Sequence, residues 1–255
     1  MRSVKTIDGS YTLYNNEFKE TYHSISGAIE EAFKKYIAPC EIEKYASINI
    51  LDICFGLGYN SMAAISTSMQ KEIKTNIVAL ERDNLLKDLD NLEIPNHLIS
   101  SFNMIKEGYE KGETSKDNIN LKVVLGDARQ TIQKVKEQFD VVFLDPFSTM
   151  KNPELWSVDF FREIKKRMKP SGILSTYSSS AIVRGGLLEA GFSIGNGPIV
   201  GRARPSTLAG INKKFPELSD EDKKLIRAFG TSFKDPKLNW DKNAIIQSRL
   251  LSNFF

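Results

Sequence analysis

The sequence has only two cysteines and two histidines among its 255 residues. Two cysteines exclude both a disulfide-stabilised scaffold and a four-cysteine zinc site, and two histidines argue against a histidine-rich metal centre. No apolar run approaches the roughly 18–20 residues of a membrane-spanning helix, and the amino-terminal residues lack the apolar segment of a secretory signal. We therefore expect a soluble, cytoplasmic protein with no metal and no membrane contact.

A large excess of one charge is also absent. Lys and Arg number 35 and Asp and Glu number 32, so the net charge is +3, which does not by itself indicate a nucleic-acid partner. The apolar share of 41% and the charged share of 26% are ordinary for a globular protein. The length fits a single domain over 1–255, in which we separate an N-terminal extension (1–46), a core (47–210) and a C-terminal extension (211–255).

Short, continuous apolar runs followed by turn residues dominate the core. Runs of this kind fit strands that are buried on both faces, as in a parallel sheet. Five strands are predicted at 48–55, 76–80, 121–125, 139–144 and 172–177, and a sixth begins over 192–194. Helical patterns lie between them, at 59–73, 83–89, 94–105, 131–138, 158–168 and 180–190. This alternation predicts an α/β fold with a doubly wound, mostly parallel sheet.

The two extensions have patterns of their own. A β-hairpin with an Asn-Asn turn is predicted over 10–18, followed by a helix over 26–36. Two further helices are predicted near the carboxyl terminus, around 220–229 and 241–251. The most polar stretch, 107–120, has many turn formers and predicts a surface loop.

Two glycines follow the first predicted strand. Gly56 and Gly58 precede a helix, where glycine lets the backbone approach a ligand and the helix N-terminus favours anionic or polar groups. Ser61 occupies the third-glycine position of the dinucleotide fingerprint, so the turn does not match it. Glu81, at the end of the second predicted strand, suits ribose hydroxyls, with Asp83 as the fallback. A tight turn without a ligand is the alternative.

Acidic residues also follow the third and fourth predicted strands. Asp127 could accept a hydrogen bond from an adenine amino group, cap the next helix, or do both. Asp145 follows the fourth strand. Because the carboxyl ends of parallel strands meet in one crevice, these acids and the glycine turn predict one cofactor site. None of the eight tyrosines has a lysine four residues later, which argues against a short-chain reductase, whereas an aminopropyl transferase remains an alternative.

This constellation resembles the class I (Rossmann-like) S-adenosylmethionine-dependent methyltransferase fold. The run Asp145-Pro146-Phe147 resembles a shortened Asp/Asn-Pro-Pro-aromatic motif of nitrogen methyltransferases. A carboxylate can accept the N–H bonds of an amine and aim its lone pair, and an aromatic ring can pack against the acceptor or stabilise a cationic product. Catalysis would then consist mostly of positioning and desolvation. Packing in the core is the competing interpretation of Phe147.

Longer motifs extend the resemblance over roughly residues 5–210. They include ICFGLGYN at 53–60, FLDPFSTMKNPELW at 143–156 and GRARPSTLAG at 201–210, with further matches at 8–32 and 169–192. Together they are similar to the methyltransferase domain of the MnmC-type enzymes, which modify the wobble uridine of certain tRNAs. The segment FGTSFKDPKLNW at 229–240 resembles the stand-alone form of that domain.

The resemblance implies that S-adenosylmethionine methylates 5-aminomethyl-(2-thio)uridine in tRNA, giving the 5-methylaminomethyl nucleoside. It also implies a functional link to the enzymes that make the aminomethyl-uridine. Larger members carry a flavin domain; this chain ends at Phe255 without a second dinucleotide fingerprint, so we expect no FAD. The alternatives are a class I methyltransferase acting on another small-molecule or protein amine, and a cofactor-binding module without catalysis.

The same resemblance assigns the site residues. The expected cofactor residues are Gly56, Gly58 and Asn60 beside the methionine, Glu81 at the ribose, Asp127 and Ala128 at the adenine, and Asp145. Asp145 is also the expected catalytic residue, because it falls opposite the acceptor amine. The expected substrate-binding residues are Tyr22, His23, Pro146, Phe147, Lys151 and Trp156.

Several of these residues have competing interpretations. His23, in the Tyr22-His23-Ser24 run, could be a general base, but a structural hydrogen bond or a substrate contact is favoured. Trp156 could stack on a base, or it could pack the helix that follows. Cys54 replaces the usual first glycine of the turn, and Pro146 replaces a usual glycine after the aspartate. Cys40 and Cys54 are interpreted as small core residues rather than nucleophiles.

The net charge is distributed unevenly along the chain. Residues 151–170 contain six basic and three acidic side chains, and residues 199–250 contain eleven basic and six acidic ones. These two segments carry +8, so the remainder carries −5. Clustering of this kind suits tRNA phosphates, although solvated helix faces would show it too. The candidate phosphate contacts are Arg202, Arg204, Lys213 and Lys214.

Overall fold

The computed structural model describes residues 2–23, 27–201 and 203–252. Within these ranges, the strands β1 to β11 are Arg2–Lys5, Tyr11–Asn15, Glu20–Thr21, Ser47–Ile53, Lys74–Glu81, Glu113–Lys116, Ile119–Leu125, Phe139–Leu144, Met168–Thr176, Ser193–Asn196 and Thr207–Gly210. The helices α1 to α9 are Ala28–Glu31, Tyr59–Lys71, Leu86–Leu89, Ile99–Lys111, Ala128–Thr131, Val158–Arg167, Ala181–Glu189, Asp220–Phe229 and Lys242–Ser252. None of the helices in these ranges is long and apolar enough to cross a membrane.

The main sheet has the strand order β10-β11-β9-β8-β4-β5-β7-β6. The central strands β7, β5, β4, β8 and β9 pair in parallel, whereas β6, β11 and β10 pair antiparallel at the two edges. This confirms the predicted doubly wound, mostly parallel sheet. Because β4 pairs with β5 on one side and β8 on the other, the strand order reverses there and leaves a crevice at the carboxyl ends.

Both faces of the sheet are covered by helices. Neighbouring residues of β4 point to opposite faces: Ile50 belongs to the core on the side of α1, α2 and α4, and Leu51 to the core on the side of α5, α6 and α7. Both side chains are fully buried. Burial on two faces explains why such a strand has a continuous apolar sequence without polar alternation.

Most predicted elements are present, but the surface loop predicted at 107–120 is wrong. This segment contains the last turn of α4, all of β6 and the start of β7. Thr114 is the buried side chain of β6, so this edge strand is held by backbone pairing and has no apolar pattern. Strand β11 was not predicted either. The predicted helix 26–36 is present from Ala28 and continues as a π-helical turn over Ala32–Ile37, while its predicted first residue, Ser26, lies outside the described residues.

The N-terminal extension forms a separate antiparallel sheet of β1, β2 and β3. A hairpin is present, but its second strand is Glu20–Thr21, and Asn15 lies opposite Glu20. The turn at 16–19, which we call the cover turn, is stabilised by the Asn15 side chain, which accepts from the backbone N–H groups of Glu17 and Phe18 at 2.9 and 3.1 Å. The cover turn reaches over the crevice of the main sheet.

Candidate active site

A cleft of about 740 Å³ opens at the carboxyl ends of the central strands. One side is formed by residues that follow β4, β5, β7 and β8, the segments in which the sequence predicts cofactor residues. The opposite side comes from the cover turn and β3. Since the strand order reverses at β4, this is the position at which doubly wound sheets bind ligands.

The turn after β4 has left-handed backbone at three positions. The φ angle is 66° at Cys54, 55° at Gly56 and 78° at Gly58. A Cβ at Gly58 would lie 2.5 Å from Cγ2 of Ile105, and a Cβ at Gly56 would enter the cleft 3.1 Å from the Tyr22 ring. Cys54 thus adopts a conformation that glycine takes at lower energetic cost, which accounts for the usual glycine at its position.

Glu81 fixes this turn from the end of β5. Its Oε2 accepts from the Gly56 N–H at 2.7 Å, and its Oε1 accepts from the N–H groups of Arg82 and Asp83 at 2.7 and 3.2 Å. Burial raises the pKa of Glu81, while the three backbone donors oppose that shift. A carboxylate oxygen can accept more than one hydrogen bond, so Oε2 can also take a ribose hydroxyl.

Asp127 combines a capping role with a place in the cleft. Its Oδ1 accepts from the Arg129 N–H at 2.9 Å and so caps α5, as one interpretation of the sequence predicted. Its Oδ2 pairs with the Arg129 guanidinium at 2.7 Å, and that guanidinium also pairs with Asp235 at 2.7 Å and donates to the Trp240 carbonyl. The C-terminal extension therefore packs against the predicted adenine side of the cleft.

Asp145 lies where the sequence predicts it, at the end of β8. The Asn60 amide donates to Asp145 Oδ2 at 2.9 Å, and the Tyr177 hydroxyl donates to the Pro146 carbonyl at 2.9 Å. Burial raises the pKa of Asp145 to about 6, with a further contribution from the negative charge of Glu31. Asp145 is therefore mostly ionised at neutral pH, but its pKa is near enough to neutral for it to take up a proton.

Aromatic rings line the mouth of the cleft. Phe18, in the cover turn, stacks on Phe147 with ring centroids 4.3 Å apart, and Tyr22 meets the edge of Phe147 at 5.1 Å. The Arg82 guanidinium lies 5.1 Å from the centre of the Phe18 ring and forms two hydrogen bonds to Glu17, at 2.9 and 2.6 Å. Phe147 therefore contributes to the cleft wall and is not buried in the core.

His23 is buried at the inner end of the cleft. Its ring lies 4.9 Å from that of Tyr59, and its Nδ1 has no hydrogen-bond partner among the described residues. Burial lowers the pKa of His23 to about 4, against the opposing charges of Glu31 and Asp8. The ring is neutral at physiological pH, which permits a substrate contact.

Four expected site residues do not line the cleft. Gly58 is the N-cap of α2, and Asn60 donates a hydrogen bond to the cleft residue Asp145. Lys151 lies in the turn after the cleft residue Ser148. Trp156 is fully buried, and its Nε1 donates to the Phe147 carbonyl at 2.7 Å. Trp156 is therefore not placed to stack on a base. Its burial supports the alternative interpretation, in which it packs the helix that follows.

Several other residues of the cleft are not among those predicted from the sequence. Arg82 and Tyr177 directly follow strands β5 and β9, so the strand-end rule could have found them. Glu31 and Phe18 come from the N-terminal extension, which only tertiary packing brings to the sheet. Nothing in their local sequence pattern marks them as cleft residues.

The cleft suits S-adenosylmethionine. The space that a Cβ at Gly56 would fill leaves backbone accessible to a ligand, and Glu81 faces the same turn. Asn60 Oδ1 is buried without a partner among the described residues, beside Asp145. No group of three or more His, Cys, Asp or Glu side chains in the described ranges is arranged to hold a metal ion.

Comparison with known proteins identifies relatives of the whole chain. A family model described as an S-adenosyl-L-methionine-dependent methyltransferase matches residues 90–212. An uncharacterised protein, MJ0670 of Methanocaldococcus jannaschii, is 36% identical over 96% of this chain and 70% of its own length. The crystal structure of MnmC2 from Aquifex aeolicus superposes with a TM-score of 0.91 and 33% identity, over 99% of this chain and 85% of that one.

Two further comparisons are more distant. The tRNA 5-methylaminomethyl-2-thiouridine biosynthesis bifunctional protein MnmC of Burkholderia vietnamiensis is 27% identical over 71% of this chain, which spans 31% of that protein's length. Spermidine synthase from Thermotoga maritima, with a TM-score of 0.52 and 14% identity, shares the fold alone. The chain belongs to the family of S-adenosyl-L-methionine-dependent methyltransferases that includes MnmC2 and the methyltransferase portion of MnmC.

Proposed function

We propose that this methyltransferase acts on the aminomethyl nitrogen of 5-aminomethyl-(2-thio)uridine at the tRNA wobble position, giving 5-methylaminomethyl-(2-thio)uridine. The observation that carries the proposal is the Asp145 carboxylate, which lines the cleft, accepts from Asn60 and is followed by the aromatic Phe147. The names of the bifunctional relatives, which refer to tRNA 5-methylaminomethyl-2-thiouridine biosynthesis, support this acceptor.

The acceptor chemistry follows from these residues. Asp145 accepts an N–H bond of the amine and directs the nitrogen lone pair, while Asn60 holds the carboxylate in place. Phe147 and Tyr22 pack against the acceptor and exclude water, and their ring faces favour the cationic product. S-adenosylmethionine supplies an activated methyl group on a sulfonium centre, so no covalent intermediate with the protein is needed. Catalysis then rests on orientation and on removal of one amine proton.

We assign the cofactor residues by their place in the crevice. Gly56, Gly58 and Asn60 shape the methionine side, Glu81 takes the ribose hydroxyls, and Asp127 with Ala128 borders the adenine. Phe55 and Leu80 are further cleft residues between these groups. The N–H groups that hold Glu81 keep its carboxylate in a fixed orientation before the ribose binds.

The proposed partner is tRNA, with Tyr22, His23, Pro146 and Phe147 at the nucleoside and Lys151 at the RNA backbone. A primary amine on uridine must be installed by another enzyme, so we also propose a functional link to the enzymes that make it.

Mass spectrometry of tRNA nucleosides tests this function. Incubation of the protein and S-adenosylmethionine with tRNA rich in 5-aminomethyl-(2-thio)uridine should convert it to the methylaminomethyl form. Asp145→Ala should abolish conversion, while calorimetry should show that the cofactor still binds, because Glu81 and the turn after β4 are intact. Absence of the methylated nucleoside, with cofactor bound, would refute the acceptor assignment.

A competition experiment separates tRNA from other amines. Small amines and lysine-rich peptides added in excess should leave labelling of tRNA unchanged, because they lack the uridine that Tyr22, Pro146 and Phe147 are proposed to contact. Preferential labelling of a small amine over tRNA would instead support a small-molecule methyltransferase.

A further inference from the structure

A buried ion pair lies at the inner end of the cleft, outside the residues that the proposed function uses. Glu31, the last residue of α1, pairs with Lys35, in the π-helical turn that follows. Only 9% of the Glu31 side chain and 2% of the Lys35 side chain are exposed. The Ser175 hydroxyl of β9 donates to the Lys35 carbonyl at 2.6 Å, which fixes this turn against the main sheet.

Such a pair is costly as a purely structural feature. Removing two charges from water costs several kcal/mol per ion, and apolar residues of similar volume often serve stability as well or better. Glu31, moreover, is a cleft residue together with His23 and Asp145. All three side chains line the same cleft, and the negative charge of Glu31 raises the pKa of both His23 and Asp145. π-Helical turns are also frequent at functional sites.

The charges at this end of the cleft do not balance. Asp145 and Glu31 contribute two negative charges, Lys35 contributes one positive charge, and His23, whose pKa burial lowers to about 4, is neutral. The negative charge of Asp8, which does not line the cleft, also acts on His23, so the surroundings are net negative and favour a cation. A protonated primary amine has this charge and can donate three N–H bonds.

We infer that Glu31 is a second carboxylate of the acceptor site, which receives the amine in its ammonium form and shares its N–H bonds with Asp145. The inference rests on the proposed amine acceptor and names the charge state that the site selects. Lys35 keeps the Glu31 carboxylate ionised in its buried place. Glu31 is thus a positioning residue, since it holds the nitrogen while Asp145 takes the proton.

The reaction step balances with these groups. The ammonium R–NH₃⁺ transfers one proton to the Asp145 carboxylate, and the freed lone pair attacks the sulfonium methyl carbon. The C–N bond forms as the C–S bond breaks, and the C–S electron pair goes to sulfur. The product is a secondary ammonium, R–NH₂⁺–CH₃, together with a neutral thioether. Asp145 then releases its proton to water.

Binding of two RNA probes tests this role without turnover. Anticodon stem-loops carry either 5-aminomethyluridine, which is cationic, or 5-hydroxymethyluridine, which has a similar shape and no charge. In the absence of a methyl donor, Glu31→Gln should weaken binding of the aminomethyl probe about tenfold and leave the hydroxymethyl probe unchanged. Glu30→Gln is the matched control, because Glu30 is an exposed neighbour paired with Lys34, and neither probe should be affected.

A second variant separates this role from protein stability. Glu31→Gln leaves Lys35 as a buried, unpaired cation, whereas Glu31→Gln with Lys35→Met removes both charges. The double variant should fold and still fail to prefer the aminomethyl probe. An equal loss for both probes, or a retained preference in both variants, would overturn the inference. Failure of the proposed function has a different signature, in which the unsubstituted protein neither prefers nor methylates the aminomethyl probe.

Discussion

Asp145 is the residue whose ionisation should control the rate. Its carboxylate must be charged to accept an N–H bond or a proton, and burial raises its pKa to about 6. The single-turnover rate should therefore fall as the pH drops through about 6, in addition to any dependence from the amine itself. In Asp145→Asn the rate should be at least about 100-fold lower, and the inflection near pH 6 should disappear.

Rapid-quench measurements across this pH range check that prediction. Asp117→Asn is the matched control, because Asp117 is exposed in the turn before β7, at the amino end of the parallel strands and thus at the opposite edge of the sheet from the cleft. Its profile should coincide with that of the unsubstituted protein. An inflection near pH 6 that survives in Asp145→Asn would assign the titration to another group.

Asp52 provides a test on stability rather than rate. It is fully buried on β4, and its Oδ2 accepts from the Ser61 hydroxyl at 2.6 Å. Burial raises the pKa of Asp52 to about 8, above its value of about 3.9 in an unfolded chain. The folded state therefore holds the proton more tightly, and stability should fall as the pH rises from about 4 to about 8.

Asp52→Asn should remove most of that dependence. Urea unfolding should show the variant more stable than the unsubstituted protein by up to about 5 kcal/mol near pH 8 and nearly equal near pH 4. Asp117→Asn again provides a control, since its unfolding free energy should depend on pH as that of the unsubstituted protein does. A parallel loss of stability in Asp52→Asn at both pH values would show that the hydrogen bond to Ser61 outweighs the burial of charge.

At the scale of elements, the cover turn joins the two sides of the cleft. Glu17 pairs with Arg82, which follows the predicted ribose residue, and Glu20 accepts from the backbone N–H of Ser148, two residues after Pro146, at 3.0 Å. Phe18 lies between Arg82 and Phe147. The turn therefore covers the cofactor and acceptor regions together.

Phe18→Ala should open this cover. Loss of one stacked aromatic pair is worth about 0.5–1.5 kcal/mol beyond its buried area, so kcat/KM for the cofactor should fall about tenfold. Steady-state kinetics at saturating RNA measure this, with thermal unfolding as the check on folding. Phe229→Ala is the control, because Phe229 is an exposed aromatic at the end of α8. Equal effects of the two substitutions would contradict a covering role.

The elements also show what sequence could and could not predict. Strand Phe139–Leu144 has the predicted bounds because all six of its residues are buried and apolar or paired within the sheet. β6 (ETSK) and β11 (TLAG) escaped prediction, because polar or small residues there are held by backbone pairing to neighbouring strands. The loop prediction at 107–120 was wrong because the carboxyl end of α4 is polar, and its exposed face has the composition of a loop.

The same reasoning applies to the site. Glu81, Asp127 and Asp145 were predictable because a parallel sheet necessarily brings the ends of its strands together. Glu31 and Phe18 approach the cleft from the N-terminal extension, and their position depends on how that extension packs, which no local pattern encodes. The pKa shifts of Asp145 and Asp52 arise from burial and were equally inaccessible from sequence.

At the scale of the whole molecule, most basic side chains of the positive segment 151–170 have partners within the protein. Arg162, Lys166 and Lys169 pair with nearby carboxylates, and Lys165 and Arg167 donate to backbone carbonyls. Intramolecular pairs of this kind reduce the charge available for phosphates. Only Asp140 comes from outside the segment and lowers its net charge, from +3 to +2, so the pairing limits the reach of these side chains more than their charge.

The candidate phosphate contacts of the C-terminal segment differ among themselves. Arg204 pairs with Asp222 at 2.7 Å, and Lys213 donates to the Ser171 carbonyl at 3.4 Å, so both have partners within the protein. Lys214 is exposed and stays a predicted phosphate contact, while Arg202 lies outside the described residues. Lysines beside the cleft mouth are therefore the sharper test of RNA binding.

Lys19 and Lys151 provide that test, because Lys19 lines the cleft in the cover turn and Lys151 follows the cleft residue Ser148. Each lysine on a phosphate contributes about 0.7–0.9 to the slope of log Kd against log salt concentration. Replacing both with Gln should therefore lower that slope by about 1.5 and weaken tRNA binding at low salt, without changing cofactor affinity.

Filter binding of tRNA at several salt concentrations, with calorimetry of the cofactor alongside, measures both quantities. Lys74→Gln is the matched control: Lys74 is exposed, as Lys19 is, but begins β5, at the amino end of the parallel strands and thus at the opposite edge of the sheet from the cleft. It removes one positive charge where the double variant removes two, so any effect of net charge alone would appear in it at half the size. If Lys74→Gln changes the slope as much per lysine as the double variant does, the RNA is attracted by the overall charge. A change confined to Lys19 and Lys151 would place the RNA backbone across the cleft mouth, with its wobble nucleoside directed toward Asp145.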